Sequence, residues 1–198
     1  MGMNRFACDF RTKNAHLHLA TALERCLKRP IDGFVALFVG CDSNVGDSLA
    51  PLCRRLFKPE YGRVVTYGSL KYPITAKEVP YIVPFIQKTH PDTLIIVIDA
   101  AVGKSEDVGL IKVQNEGIKP GLGVDKDLPK VGDISIIGIL GEKGGEKGCF
   151  KRVRLSVVYQ MAEIIANGLQ IFIQNNEKRL KFYQNKPMVR EYWLESGK

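Results

Sequence analysis

Hydrophobic residues follow two different patterns along this chain. Apolar positions at helical spacing predict a helix over residues 15–28, which Pro30 ends. Two short runs, Phe34–Val39 and Leu94–Ile98, are instead continuously apolar and rich in β-branched or aromatic residues. Such runs are typical of strands buried on both faces of a parallel sheet. The second run stops at Asp99, and we expect the strand to end there.

The rest of the chain continues this alternation of strands and helices. Further strands are predicted at residues 63–70, 108–114 and 134–140, and helices at 47–56 and 153–173. Thr75 and Glu78 have the spacing of a capping box, although Pro80 and Pro84 make the following helix irregular. Together these elements predict an α/β fold, a three-layer α/β/α sandwich around a mostly parallel, mixed central sheet.

Composition limits the class of protein. The length of 198 residues, with 45% apolar and 25% charged residues, indicates one globular domain. No membrane span is expected, because polar side chains interrupt the most apolar stretch, 155–173. Five scattered cysteines without a C-x-x-C pair, and no signal peptide, predict a cytoplasmic protein. The net charge of +8 is dispersed and accompanies no nucleic-acid motif, so nucleic acid is not a predicted partner.

Two aspartates follow predicted strands. Asp47 lies in the loop-to-helix junction after the first buried strand, and Asp99 directly follows the second. Active sites of open α/β sheets lie at the carboxyl ends of the strands, so neighbouring strands would bring these carboxyls together. In a close pair, one carboxyl can take a proton from water while the other donates one. The alternatives are structural: a first-turn acid favoured by the helix dipole for Asp47, and a turn residue for Asp99.

Other reactive residues indicate no further site. The segment 103–105 reads Gly-Lys-Ser, but position 98 lacks the glycine that a phosphate-binding loop requires. His16, His18 and His90 have no third metal ligand nearby, so a surface position is predicted for each. Cys41 lies in the candidate loop, but no histidine is obviously placed to serve as its base.

Five motifs occur in a characteristic order and spacing. They are Val39–Pro51, Val65–Leu70, Ile98–Ala100, Lys119–Val124 and Leu128–Asp133. As a set they resemble the YyaC family of sporulation proteins from spore-forming bacteria. The resemblance covers residues 33–174, so we expect one domain over 1–198 with that core, an N-terminal helical extension at 1–32 and a basic, aromatic tail at 175–198.

That family is similar to the spore germination protease and, more remotely, to hydrogenase maturation proteases. The similarity implies an α/β/α fold of the phosphorylase/hydrolase-like type. It also implies that the two proposed catalytic aspartates of the germination protease correspond to Asp47 and Asp99. Hydrogenase maturation proteases hold nickel with two acidic residues and a later histidine, whereas no histidine follows His90 here. We therefore expect no metal and no other cofactor. Thr75 stands where the family often has a histidine.

The resemblance leaves two functions open. The first is a sporulation-associated peptidase that hydrolyses a peptide bond in a small protein, such as a spore protein, through Asp47 and Asp99. The residues expected to bind its substrate are Asp42, Ser43, Asn44, Gly46 and Ser48. The second is a non-catalytic sporulation protein that binds a peptide or protein partner on the same fold. Either would be cytoplasmic, in the forespore or spore, without membrane association, and a homo-oligomer is compatible with both.

Overall fold

A computed structural model describes residues 5–28, 31, 33–58, 64–118, 130–144 and 152–176. The motif Lys119–Val124 and the first two residues of the motif Leu128–Asp133 lie outside these residues, as does the predicted tail beyond Asn176. The described elements are β1 (Arg5–Asp9), α1 (Ala15–Cys26), β2 (Phe34–Phe38), α2 (Leu49–Leu56), β3 (Val64–Tyr67), α3 (Val79–Thr89), β4 (Leu94–Gly103), β5 (Leu110–Gln114), β6 (Ile134–Glu142) and α4 (Leu155–Asn176).

The described strands form one sheet in the order β1-β5-β6-β4-β2-β3. Strands β6, β4, β2 and β3 are parallel to one another, whereas β5 is antiparallel to both β6 and β1. The sheet is therefore mixed, with a parallel centre, and the predicted α/β fold is confirmed. The parallel centre explains the continuous apolar runs, because helices cover both faces of such strands.

The core has one layer of side chains on each face of the sheet. Every residue of β2 is buried, and its side chains alternate between the two layers. Helices α1, α2 and α4 contribute to the layer that contains Phe34 and Ile96. Helix α3 contributes to the opposite layer, which contains Val35 and Val97. The protein thus has the predicted three layers, and of the four described helices three pack on one face of the sheet and one on the other.

Strand β4 departs from the prediction. The expected end at Asp99 is wrong, because β4 continues to Gly103 alongside β6. Its pairing with β2, however, does stop at Phe38 and Ile98. The apolar run thus marks where β4 pairs with β2, and the continuation, among the described strands, pairs with β6 only. Asp99 is the first residue of that continuation.

The N-terminal region contains a strand that the sequence pattern did not reveal. Strand β1 pairs with β5 at one edge of the sheet, from Arg5 opposite Gln114 to Asp9 opposite Leu110. Helix α1 then packs against α4 at a close approach beside Gly168. A Cβ at Gly168 would lie 2.7 Å from Leu19 Cδ2 and 2.9 Å from the carbonyl oxygen of His16. The region predicted as a helical extension is therefore part of the sheet and of the helical layer.

Helix α4 is long and apolar enough to cross a membrane by length and composition alone, the one such helix among the described residues. Half of its most apolar window is nevertheless buried inside the protein. Its buried side chains include Met161, Ile165, Leu169 and Phe172, and the ring of Phe172 packs edge-on against Phe34 of β2. This is the environment of a core helix.

Candidate active site

The candidate site forms where β2 ends beside the longer strand β4. After Phe38 the chain leaves the sheet, and Gly40 turns it with φ of 142°. A Cβ at Gly40 would lie 2.2 Å from the carbonyl oxygen of Asp47, so only glycine allows this approach. The loop therefore folds back over the end of β2 and brings Asp47 towards the exposed continuation of β4.

Asp47 lies in a 3-10 turn, Gly46–Ser48, that leads directly into α2. Its carboxyl group is half-buried, and Oδ2 accepts a hydrogen bond from Asn44 Nδ2 at 3.0 Å. The predicted helix over 47–56 is thus confirmed except for this tighter first turn. The hydrogen bond from Asn44 fixes the orientation of the Asp47 carboxyl.

Asp99 is half-buried on β4, and its Oδ1 accepts a hydrogen bond from the backbone N–H of Ala100 at 2.8 Å. Loss of hydration raises the pKa of Asp99 to about 8. The Ala100 N–H lowers this pKa, and the negative charge of Asp47 raises it. Asp99 therefore retains its proton at neutral pH, and the two carboxyls lie close enough to interact electrostatically.

The other predicted site residues differ in what they offer to a ligand. Asp42 and Ser43 are exposed, and the Ser43 hydroxyl contacts Cys41 Sγ at 2.9 Å. Gly46 is buried. Ser48 is also buried, and its hydroxyl donates to the carbonyl oxygen of Val45 at 2.6 Å. Ser48 thus stabilises the turn that carries Asp47, while Asp42 and Ser43 lie at its open side.

The segment before α3 borders this site, which no sequence pattern had indicated. Ile74 forms bridges with Val39 and Gly40, and its carbonyl oxygen accepts a hydrogen bond from Gly40 N at 2.8 Å. Thr75 and Glu78 follow at once, with Thr75 N donating to Glu78 Oε2 at 2.8 Å. The capping-box spacing correctly indicated this contact, but it contained no information about the neighbouring loop.

His90 and His18 have side-chain partners of their own. His90, predicted to lie on the surface, is half-buried and forms a hydrogen bond of 2.8 Å with Tyr67 Oη. His18 is exposed and contacts Cys8 Sγ through Nδ1 at 3.9 Å. Within the part of the chain that the structure describes, no group of three His, Cys, Asp or Glu residues is placed to hold a metal ion.

Comparison with known proteins identifies the family. A family model described as "Protein of unknown function (DUF1256)" matches residues 8–168, and the chain belongs to that family. It is also similar to "Uncharacterized protein YyaC" of Bacillus subtilis (strain 168), with 35% identity over 155 residues, covering 77% of this chain and 74% of the relative. The resemblance to the YyaC family is thus confirmed. The family match includes α1, which the motif-based resemblance had placed outside the core.

Proposed function

We propose that this protein is a peptidase of the germination-protease type, which hydrolyses a peptide bond in a small protein through Asp47 and Asp99. The observation that supports the proposal is that Asp47, in the turn that follows β2, lies close enough to Asp99, just beyond the end of the β2–β4 pairing, for its charge to raise the pKa of Asp99. Ligands of open α/β sheets bind at this position. Asp42 and Ser43, on the loop that leads to Asp47, are exposed and could contact a peptide.

The two carboxyls have environments that suit opposite roles. Asp47, which accepts the hydrogen bond from Asn44, is the base that removes a proton from water. Asp99 carries a proton and is the acid that donates it towards the substrate. Separation of the two carboxyls into a base and an acid is the arrangement that acid–base hydrolysis requires.

In the proposed reaction, water is the nucleophile and both aspartates transfer protons. The oxygen of water forms a bond to the peptide carbonyl carbon while Asp47 takes one of its protons. Asp99 donates its proton to the carbonyl oxygen as the tetrahedral intermediate forms, and the C–N bond breaks when Asp47 passes the proton that it took from water to the leaving nitrogen. Backbone N–H groups near Gly46 and the side chains of Asp42, Ser43 and Asn44 would position the peptide. Both carboxyls return to their starting states through proton exchange with water.

The resemblance to sporulation proteins also supports a biological setting. We propose that the protein acts in the cytoplasm of the forespore or spore, on small spore proteins. The support is the family resemblance and the similarity to a Bacillus protein. The acid–base chemistry of Asp47 and Asp99 does not depend on this setting or on the class of substrate.

The test compares Asp47→Asn and Asp99→Asn with wild type by mass-spectrometric detection of new peptide ends in a peptide library and a forespore extract. We expect cleavage to fall at least about a hundredfold in each variant, because each loses one partner of the acid–base pair. Asp92→Asn is the matched control: Asp92 is exposed at the opposite end of β4 with φ of 66°, a conformation that asparagine also adopts.

Each outcome of this experiment decides a specific point. If either site variant cleaves as well as wild type, the two-aspartate mechanism is wrong. If wild type cleaves nothing in either mixture but retains a peptide, the non-catalytic binding function replaces the peptidase. For an active wild type, kcat/KM should fall as pH rises through about 8, because Asp99 then loses the proton that it donates.

A further inference from the structure

A second cleft lies beside the antiparallel part of the sheet. It has a volume of about 620 Å³, within the range of small-molecule sites. Phe10 at the end of β1, Val108 before β5 and Val157 of α4 supply apolar surface. Val108 is 40% exposed, so this surface is open to solvent. Neither Asp47 nor Asp99 lines the cleft, which makes it distinct from the candidate active site.

Arg11 contributes a guanidinium group that is held in place from two sides. Its Nε donates to Asp9 Oδ1 at 2.9 Å, and its Nη2 donates to Asp9 Oδ2. The guanidinium also lies over the ring of Phe10, 5.6 Å from the ring centre. Because Asp9 engages only two of the five N–H bonds, Arg11 keeps donors for a ligand in a fixed orientation.

Arg154 is the second guanidinium of the cleft. Asp9 pairs with Arg11, not with Arg154. Arg154 lines the cleft together with Ser156 and Gln160, and all three side chains are exposed. None of the described residues that line the cleft is acidic. The cleft therefore combines an apolar surface, one fixed guanidinium, one further guanidinium and neutral hydrogen-bonding groups.

We infer that this cleft binds a carboxylate carried on an apolar group, either a small carboxylic acid or the C-terminus of a peptide. The two arginines bind the carboxylate oxygens, as planar guanidinium groups do in charge-assisted pairs. Phe10, Val108 and Val157 contact the apolar group. Among the described residues that line the cleft, one of the two positive charges has no acidic partner, which suits a monoanion better than a phosphate dianion.

The full chain is titrated with two matched pairs of probes. Binding is measured from the NMR shifts of the Gly109 and Ser156 amides. The first pair is N-acetylphenylalanine and its amide. The second is a tetrapeptide that ends in phenylalanine, as the free acid and as the C-terminal amide. We expect the acids to bind and the amides to bind at least about tenfold more weakly, because the amides lack the charge that the arginines recognise.

Two variants locate binding in the cleft. Arg154→Gln should weaken binding of the acids at least about tenfold by removing a charge-assisted contact. Val108→Asp should also weaken it, by adding a negative charge at an exposed position of the cleft. Lys88→Gln removes the same charge from exposed α3 on the other face of the sheet and should leave binding unchanged.

Binding of both acids supports the inference and shows that the cleft accepts a carboxylate from a small carboxylic acid as well as from a peptide C-terminus. Binding of the tetrapeptide acid alone supports it and assigns the cleft to peptide C-termini. Binding of N-acetylphenylalanine alone supports it and assigns a small carboxylic acid. The inference would be overturned if the acids and amides bound equally, or if neither acid bound at millimolar concentration. It would also be overturned if inorganic phosphate bound more tightly than the acids, or if Arg154→Gln and Lys88→Gln had equal effects.

Discussion

Strand β4 contains two regions with different roles. From Leu94 to Ile98 it is flanked by β2 and β6 and buried on both faces, and every residue is apolar. From Asp99 to Gly103 it pairs with β6 alone among the described strands, becomes partly exposed and carries a carboxyl group. One strand thus places a candidate catalytic group at the end of a rigid, buried segment, so the site is positioned by the core without being enclosed in it.

The sharpest test of this contrast is truncation of one side chain in each region. Ile96→Ala should lower the free energy of unfolding by about 2–5 kcal/mol, because Ile96 is fully buried and its loss leaves a cavity. Val102→Ala, at a side chain that is 37% exposed, should change it by less than about 0.5 kcal/mol. Urea unfolding measures both, and equal losses would show that the two regions of β4 do not differ in this way.

A smaller effect is expected where the loop folds back over β2. Gly40→Ala should destabilise the protein by about 1–3 kcal/mol, because its Cβ would collide with the Asp47 carbonyl oxygen. Gly144→Ala is the control, since Gly144 also has positive φ but nothing lies within 4 Å of an added Cβ. Thermal unfolding compares the two, and a similar loss of Tm in both would mean that backbone strain rather than the collision determines the cost.

A third effect on stability depends on pH. The folded state holds the Asp99 proton up to about pH 8, whereas an unfolded chain releases it near the ordinary aspartate pKa of 3.8. Wild-type stability therefore falls relative to Asp99→Asn as pH rises from about 4 to about 8, and the difference levels off above that. At about 1.4 kcal/mol per pH unit, these two pKa values predict a relative change of about 3–4 kcal/mol between pH 5 and pH 8.

Urea unfolding of both proteins at pH 5, 6.5 and 8 checks this prediction. Contributions from titrating groups that do not interact with Asp99 cancel in the difference between wild type and variant. A difference that stays constant with pH, or that shrinks as pH rises, would contradict the assigned protonation of Asp99.

Sequence patterns predicted the buried parts of this fold better than its edges. The central strands were predictable because burial on both faces selects continuous apolar residues, as in Phe34–Phe38. Strand β1 was not, because an edge strand is covered less completely and its sequence, Arg-Phe-Ala-Cys-Asp, shows no such run. The continuation of β4 was not predicted because it is extended by backbone pairing to β6. Such pairing does not require a particular pattern of apolar side chains.

The candidate site was predictable in part. The topological rule and the family resemblance both selected Asp47 and Asp99, and the structure places them within electrostatic reach of each other. The roles of the surrounding residues depend on details that one sequence does not encode. Ser48 points into the turn rather than outwards, and Ile74 reaches Gly40 only because α3 and its preceding segment fold against the sheet.

The close contact of α1 with α4 beside Gly168 has a consequence for synthesis of the chain. The ribosome makes β1 and α1 first, yet their partners β5 and α4 belong to the second half of the sequence. At about 5–20 residues per second, the apolar side of α1 waits on the order of ten seconds for α4 to emerge. A nascent chain interrupted before α4 therefore displays Leu19 and Leu23 uncovered, a form that chaperones would bind and that quality control would remove.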